Sequence, residues 1–264
     1  MLRLTTFLFA LLLLTGGATA ATRCLLLVEA GSGAVVHREG ARCDEPLGPA
    51  STFKLPLAVI GFDVGILEDA EHPAWPYLAE YGAVRAADKA TTTPRKWLAD
   101  SVLWFSRKLV RELGAERFAA AVRNLDYGNA DVSGDPGAGN GMTHSWLNSS
   151  LQITPVEQAR FVRRLLLADL PVGETAAQAA INALPQFDGG NGWLVVGKTG
   201  TGFIREASRE LGDRQFGWFV GWGQRAGEVL VFAYLIEDEE EGGSAAGLRA
   251  RDDLLGRWPE LATR

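Results

Sequence analysis

Apolar and β-branched runs gather at the two ends of the chain, while its middle carries helical spacing. Leu25–Glu29, a Gly31-Ser32-Gly33 turn and Ala34–His37 read as a hairpin. Helices are predicted from Asp100, as cap, through Leu113, stopped by Gly114, and over Ala115–Leu125. Thr154-Pro155-Val156-Glu157 joins a capping box to a proline at the first helical position, opening an amphipathic helix that ends before Pro171. Glu174–Leu184 is alanine-rich and helical. Strands return at Trp193–Val196, Phe216–Trp222 and Glu228–Ile236, ahead of a last helix over Ala245–Trp258. Strands at both ends with helices between them predict an α+β protein whose antiparallel sheet is built from both termini. The sheet lobe is expected over about 21–50 and 190–264 and the helical lobe over about 51–189, within one domain spanning 21–264.

One apolar run is not core. Arg3, the run Phe7–Leu14, Gly16-Gly17 and the triplet Ala18-Thr19-Ala20 have the layout of a cleavable secretory signal peptide, residues 1–20. The chain is therefore expected to be periplasmic or secreted. The run is too short to span a bilayer, no later segment suits a transmembrane helix, and no membrane anchor is expected. The formal charge of −6 becomes more acidic by one when Arg3 is removed, and no basic run exists, so no nucleic-acid partner is expected. In an exported chain the two cysteines, Cys24 and Cys43, are expected to form a disulfide; two buried free thiols are the alternative. His37, His72 and His144 are scattered without metal-ligand spacing, and no metal site is expected.

Two short stretches carry candidate chemistry. Gly192–Thr199 satisfies the phosphate-loop pattern G-x-x-x-x-G-K-[ST], but its four inner residues are Trp193, Leu194, Val195 and Val196. Bulky and β-branched residues favour a strand over a curled loop, and Gly200-Thr201-Gly202 is a poor helix opening. The match is accidental and no nucleotide is expected; a strand delivers Lys198 and Thr199 to its exposed edge or end. Ser51-Thr52-Phe53-Lys54 precedes the apolar run Leu55–Ile60. With Ser51 at a helix N-terminus, Lys54 stands one turn later on the same face, where its amine can reach the serine hydroxyl. About one such Ser-x-x-Lys arises by chance in a chain of this length, so alone it reads as a helix cap. Pro56, inside the helix, should kink or tighten the first turn. A lysine base must be neutral, which requires desolvation, a nearby cation or chemical modification.

Ser51-Thr52-Phe53-Lys54-Leu55-Pro56, Ser101-Val102-Leu103, Tyr127-Gly128-Asn129-Ala130-Asp131, Trp146-Leu147-Asn148-Ser149-Ser150-Leu151, Lys198-Thr199-Gly200-Thr201 and Gly217-Trp218-Phe219-Val220-Gly221-Trp222 follow in order. This succession resembles the class D serine β-lactamases, over nearly the whole mature chain. The resemblance implies a β-lactamase and penicillin-binding-protein-like fold, a small-molecule β-lactam substrate and no cofactor beyond carbon dioxide or bicarbonate. It also implies a monomer or homodimer. Ser51 would be acylated by the β-lactam, and Lys54, as N6-carboxylysine, would act as general base. Trp146 would hydrogen-bond that carbamate. Ser101 would relay a proton to the leaving nitrogen. Lys198, Thr199, Thr201 and Arg249 would bind substrate, with the N–H groups of Ser51 and Thr201 forming the oxyanion hole. Where the family usually has Ser-x-Val, this chain has Leu103, a methylene larger in the carbamate pocket. A non-hydrolysing β-lactam sensor or penicillin-binding protein is the alternative.

Overall fold

The computed structural model describes residues 20–205, 211–239 and 243–263; the expected signal peptide, apart from Ala20, lies outside them. Among the described residues six strands form one antiparallel sheet: β1 (Ala20–Glu29), β2 (Val35–Glu39), β3 (Gln186–Asp188), β4 (Leu194–Arg205), β5 (Leu211–Arg225) and β6 (Glu228–Asp238). Their order is β2-β1-β6-β5-β4-β3, so the first strand pairs with the last, Leu25 opposite Tyr234. The sheet is thus built from both ends of the chain, as the sequence predicts. The run Leu25–Val28 is continuous rather than alternating because both faces are covered. Leu25 and Leu27 pack with Phe219, Phe232 and Trp258, while Leu26 and Val28 join the larger core shared with the helices.

Eight helices among the described residues accompany the sheet: α1 (Lys54–Asp63), α2 (Pro94–Asp100), α3 (Leu103–Leu113), α4 (Ala115–Asn124), α5 (Gly141–His144), α6 (Pro155–Leu166), α7 (Glu174–Ala183) and α8 (Ala246–Leu261). Helix α1 is buried from Lys54 to Phe62, which is why its sequence is apolar on every side. The capping box at Thr154 and Glu157 forms in both directions, at 3.1 and 2.8 Å. Cys24 and Cys43 are bonded, tying β1 to the segment that leads into Ser51. No helix among the described residues is long and apolar enough to cross a membrane.

Two boundaries that bear on the site differ from expectation. Asp100 does not cap α3 but ends α2, a helix opened by Thr93 and Pro94, with the Thr93 hydroxyl receiving the Lys96 N–H. Asp100 is a good cap by residue type, but the chain turns left-handed at Ser101 and α3 begins only at Leu103. Strand β4 does not stop at Val196 but continues to Arg205, so Lys198 is a mid-strand residue and no helix begins there. The glycines that suggest a strand end serve close approach instead. A Cβ on Gly200 would stand 3.0 Å from the Pro49 carbonyl oxygen and 3.1 Å from the Ser51 nitrogen.

Candidate active site

Ser51 sits in a tight 3-10 turn, Ala50–Phe53, that runs directly into α1. Pro56 lies in the first turn of α1, where a missing N–H is tolerated, and the tightened turn before it is what that proline predicts. Ala50 is held at φ 49°, a left-handed conformation that favours glycine, and its N–H bonds the Trp146 carbonyl at 3.0 Å. Beneath the turn runs a buried polar chain. The Tyr127 hydroxyl donates to Gln158 Oε1 at 3.1 Å, Gln158 Nε2 donates to Thr52 Oγ1 at 2.9 Å, and Thr52 Oγ1 donates to the Pro49 carbonyl at 2.6 Å. Each side chain in the series finds a partner, so the chain fixes the turn carrying Ser51 without leaving an orphaned polar group. Burial pushes the Tyr127 hydroxyl well above the usual tyrosine range, which keeps it a donor rather than a base.

Lys54 is 1% exposed, and its Nζ lies 3.0 Å from Ser51 Oγ. Burial, helped by the nearby positive charges of Arg85 and Arg107 and opposed by Asp88, lowers its amine to about 7. The amine is therefore substantially neutral near neutral pH and can accept the hydroxyl proton. Trp146 is fully buried, with its indole stacked on Phe53 at 5.4 Å between ring centres. Its Nε1–H meets no acceptor among the described residues, an unusual state for a buried donor. The ring that carries it stacks on Phe53, the residue before Lys54, and an unpartnered buried N–H is the kind of donor a lysine carbamate would need.

Ser101 follows α2 in a left-handed conformation, φ 58°. Lys198, 1% exposed, donates to Ser101 Oγ at 2.5 Å and to the Thr199 carbonyl at 2.9 Å. Burial, then the charges of Lys54, Arg85 and Arg251, hold the Lys198 amine well below the ordinary lysine range. Strand β3 pairs with β4 only as far as Val196, leaving the edge beyond it to face a cleft of ≈ 500 Å³. Ser51, Ser101, Thr199 and Thr201 all line that cleft. Thr201 Oγ1 also accepts the Gly247 N–H at 2.9 Å, joining β4 to the start of α8. Leu103, the first residue of α3, packs partly buried against the main core.

Arg249, on α8, is not among the residues that line the cleft. Its Nη2 is engaged by both carboxylate oxygens of buried Asp238 at 2.7 Å and its Nε by the Ser244 carbonyl at 3.0 Å, so among the described residues Nη1 is the nitrogen of the fork without a hydrogen-bond partner. Sequence reasoning missed three contributors. Gln158 is hidden inside an ordinary amphipathic helix, Asp238 at the end of a strand, and Arg85 in a segment without periodicity. Arg85 lines the cleft beside Ser101. The Tyr127-Gly128-Asn129 block docks the segment after Trp146, since Asn129 bonds the Ser150 carbonyl at 2.9 Å and receives the Gln152 N–H at 3.0 Å.

Residues 24–255 match the penicillin binding protein transpeptidase domain. The chain is 41% identical to β-lactamase OXA-9 of Klebsiella pneumoniae over 241 residues, covering 90% of this chain and 88% of that one. It is 31% identical to β-lactamase OXA-1 of Escherichia coli over 234 residues, 88% and 82% of the two chains. The crystal structure of OXA-427, a class D β-lactamase, superposes with a TM-score of 0.84 at 40% identity, covering 92% of this chain and 98% of that one.

Proposed function

Because the chain belongs to the class D β-lactamases, within the penicillin-binding protein transpeptidase family, we propose that it hydrolyses β-lactams through an acyl-enzyme on Ser51. The observation that carries this reading is the Lys54 amine, buried, lowered to about 7 and 3.0 Å from the Ser51 hydroxyl. A neutral amine can take the hydroxyl proton as Oγ bonds to the β-lactam carbonyl carbon. Negative charge then develops on the carbonyl oxygen, for which the N–H groups of Ser51 and Thr201 are the assigned donors; losing one such donor typically costs ~3 kcal/mol of barrier. As the carbon–nitrogen bond breaks, the ring nitrogen needs a proton, and Ser101, bonded to Lys198, is the assigned relay. Lys198, Thr199 and Arg249 are assigned to the substrate carboxylate.

Carbon dioxide adds only to a neutral amine, so the same lowered amine suits Lys54 to become N6-carboxylysine, and the unpartnered Trp146 Nε1–H suits it to hold the carbamate. Once formed, such a group would take the place of the free amine as general base, both for acylation and for the water that releases the product. The Leu103 side chain would narrow its pocket. A run of apolar residues behind Arg3 further supports export to the periplasm or medium.

The test is turnover of benzylpenicillin and oxacillin by the purified mature protein, with and without bicarbonate, alongside intact-protein mass. Many turnovers, stimulated by bicarbonate and lost in Lys54→Ala, support the proposal. A single equivalent consumed, with a lasting adduct on Ser51, would replace it by a non-hydrolysing sensor.

A further inference from the structure

Arg85 is assigned no step in the chemistry proposed above, yet it faces the same cleft as Ser51 and Ser101. Its guanidinium is fixed along one edge. Nε donates to Asp88 Oδ2 at 2.9 Å, while Nη2 donates to Asp88 Oδ1 at 2.7 Å and to the Asp100 carbonyl at 2.6 Å. The anchor is itself firm: Asp88 is 6% exposed, and its carbonyl receives the Trp104 indole N–H at 2.7 Å. Among the described residues those three bonds use three of the five guanidinium donors and leave the two on Nη1. The side chain nevertheless remains 57% exposed.

A purely structural tie between residues 85–88 and the end of α2 would not need a charged fork with an open edge. A guanidinium locked on one side and open on the other is a preorganised receptor for a carboxylate. Its charge is felt inside the site, since it is among the causes that hold both the Lys54 and the Lys198 amines down. Arg85 also comes from a different wall of the cleft than Thr199 and Thr201, which β4 supplies. The anion assigned to Arg85 is a second one, apart from the ring carboxylate assigned to Lys198 and Thr199.

We propose that Arg85 is a specificity residue whose Nη1 edge binds a carboxylate on the acylamino side chain of the substrate. This rests on the β-lactamase reading of the site. The consequence is a selective gain for penicillins with an anionic side chain over neutral analogues of the same size.

Carbenicillin and benzylpenicillin differ by one carboxylate on the side-chain α-carbon, so the ratio of their kcat/KM values isolates the contact. Arg85→Gln is expected to lower the carbenicillin-to-benzylpenicillin ratio about five- to tenfold, mainly through the KM of carbenicillin. Arg85→Lys should retain part of it. In the unmodified protein, raising ionic strength from about 0.05 to about 0.5 M should lower the same ratio, because a half-exposed pair is screened while the shared ring carboxylate cancels. The salt series decides the question even if Arg85→Gln fails to fold. An unchanged ratio in Arg85→Gln, or a ratio insensitive to salt, overturns this inference alone. Failure to turn over either penicillin overturns the reading of the site and this inference with it.

Discussion

Replacing Lys54 by methionine should abolish turnover and yet make the protein more stable. Lys54 is 1% exposed, and its amine titrates at about 7 against an ordinary 10.5. Ionising it inside the protein therefore costs roughly 5 kcal/mol more than in water, at ~1.4 kcal/mol per tenfold. The unfolded chain keeps this proton up to about 10.5, whereas the folded chain gives it up above about 7. Between those values the unfolded state binds more protons, so stability rises with pH; below about 7 the whole penalty is present. At pH 7 about 4 kcal/mol of it is felt. Methionine fills similar volume without charge, and it forfeits ~1 kcal/mol with the bond to Ser51. The net gain of about 3 kcal/mol corresponds to a rise in Tm of roughly 5–10 °C for a domain of this size. The assay is thermal unfolding of both proteins from about pH 7 to about pH 9.5 in buffer freed of carbon dioxide, a window that lies between the folded and unfolded values. The gap should be widest at the neutral end and shrink by roughly 3 kcal/mol across that range. A constant gap, or a methionine variant that melts lower, would refute the argument.

Three further outcomes are expected. Trp146→Phe keeps the stack on Phe53 but removes the unpartnered indole N–H, and should cut the stimulation of hydrolysis by bicarbonate several-fold at nearly unchanged Tm. If stimulation persists in full, Trp146 does not hold the carbamate. Gln158→Met breaks the chain from Tyr127 to Thr52 and leaves buried groups unpaired, costing ~1–3 kcal/mol and several degrees of Tm with a slower burst of acylation; a wild-type melting curve would contradict this. Gly200→Ala pushes β4 from the Ser51 turn, whose Pro49 oxygen and Thr52 nitrogen would lie 3.0 Å from the new Cβ. Pre-steady-state acylation should slow by about tenfold or more, since an oxyanion donor is moved; an unaltered rate would show that the turn yields freely.

The helices are legible wherever a local rule decides them. Thr154 and Glu157 write their own capping box, and Gly114 stops α3, because caps are satisfied within a few residues. Ser51 and Lys54 are legible for the same reason: their meeting depends on helical spacing alone. Lys198 is harder. Its glycine neighbours look like a strand end, and their actual purpose, letting β4 press against the Ser51 turn, is a contact between segments far apart in the chain. Asp238, which holds Nη2 of the Arg249 fork, is equally invisible from sequence because the pair is made by packing α8 on the sheet. Arg85 has no periodic pattern around it at all.

The strand order has a consequence for synthesis. The first described strand is sealed on one side by the last, and Lys198 arrives from a strand made long after Ser51. A nascent chain that has emerged only through α7 would carry the serine and lysine pair with the lysine wet, protonated and inert. Desolvation of that lysine waits for the closing strands, whose pairings are among the most distant in the chain and hence among the slowest to form. Reactivity toward a fluorescent penicillin would therefore act as a clock for completed folding: a truncated or half-assembled chain stays dark, and the signal appears when the two ends of the polypeptide meet.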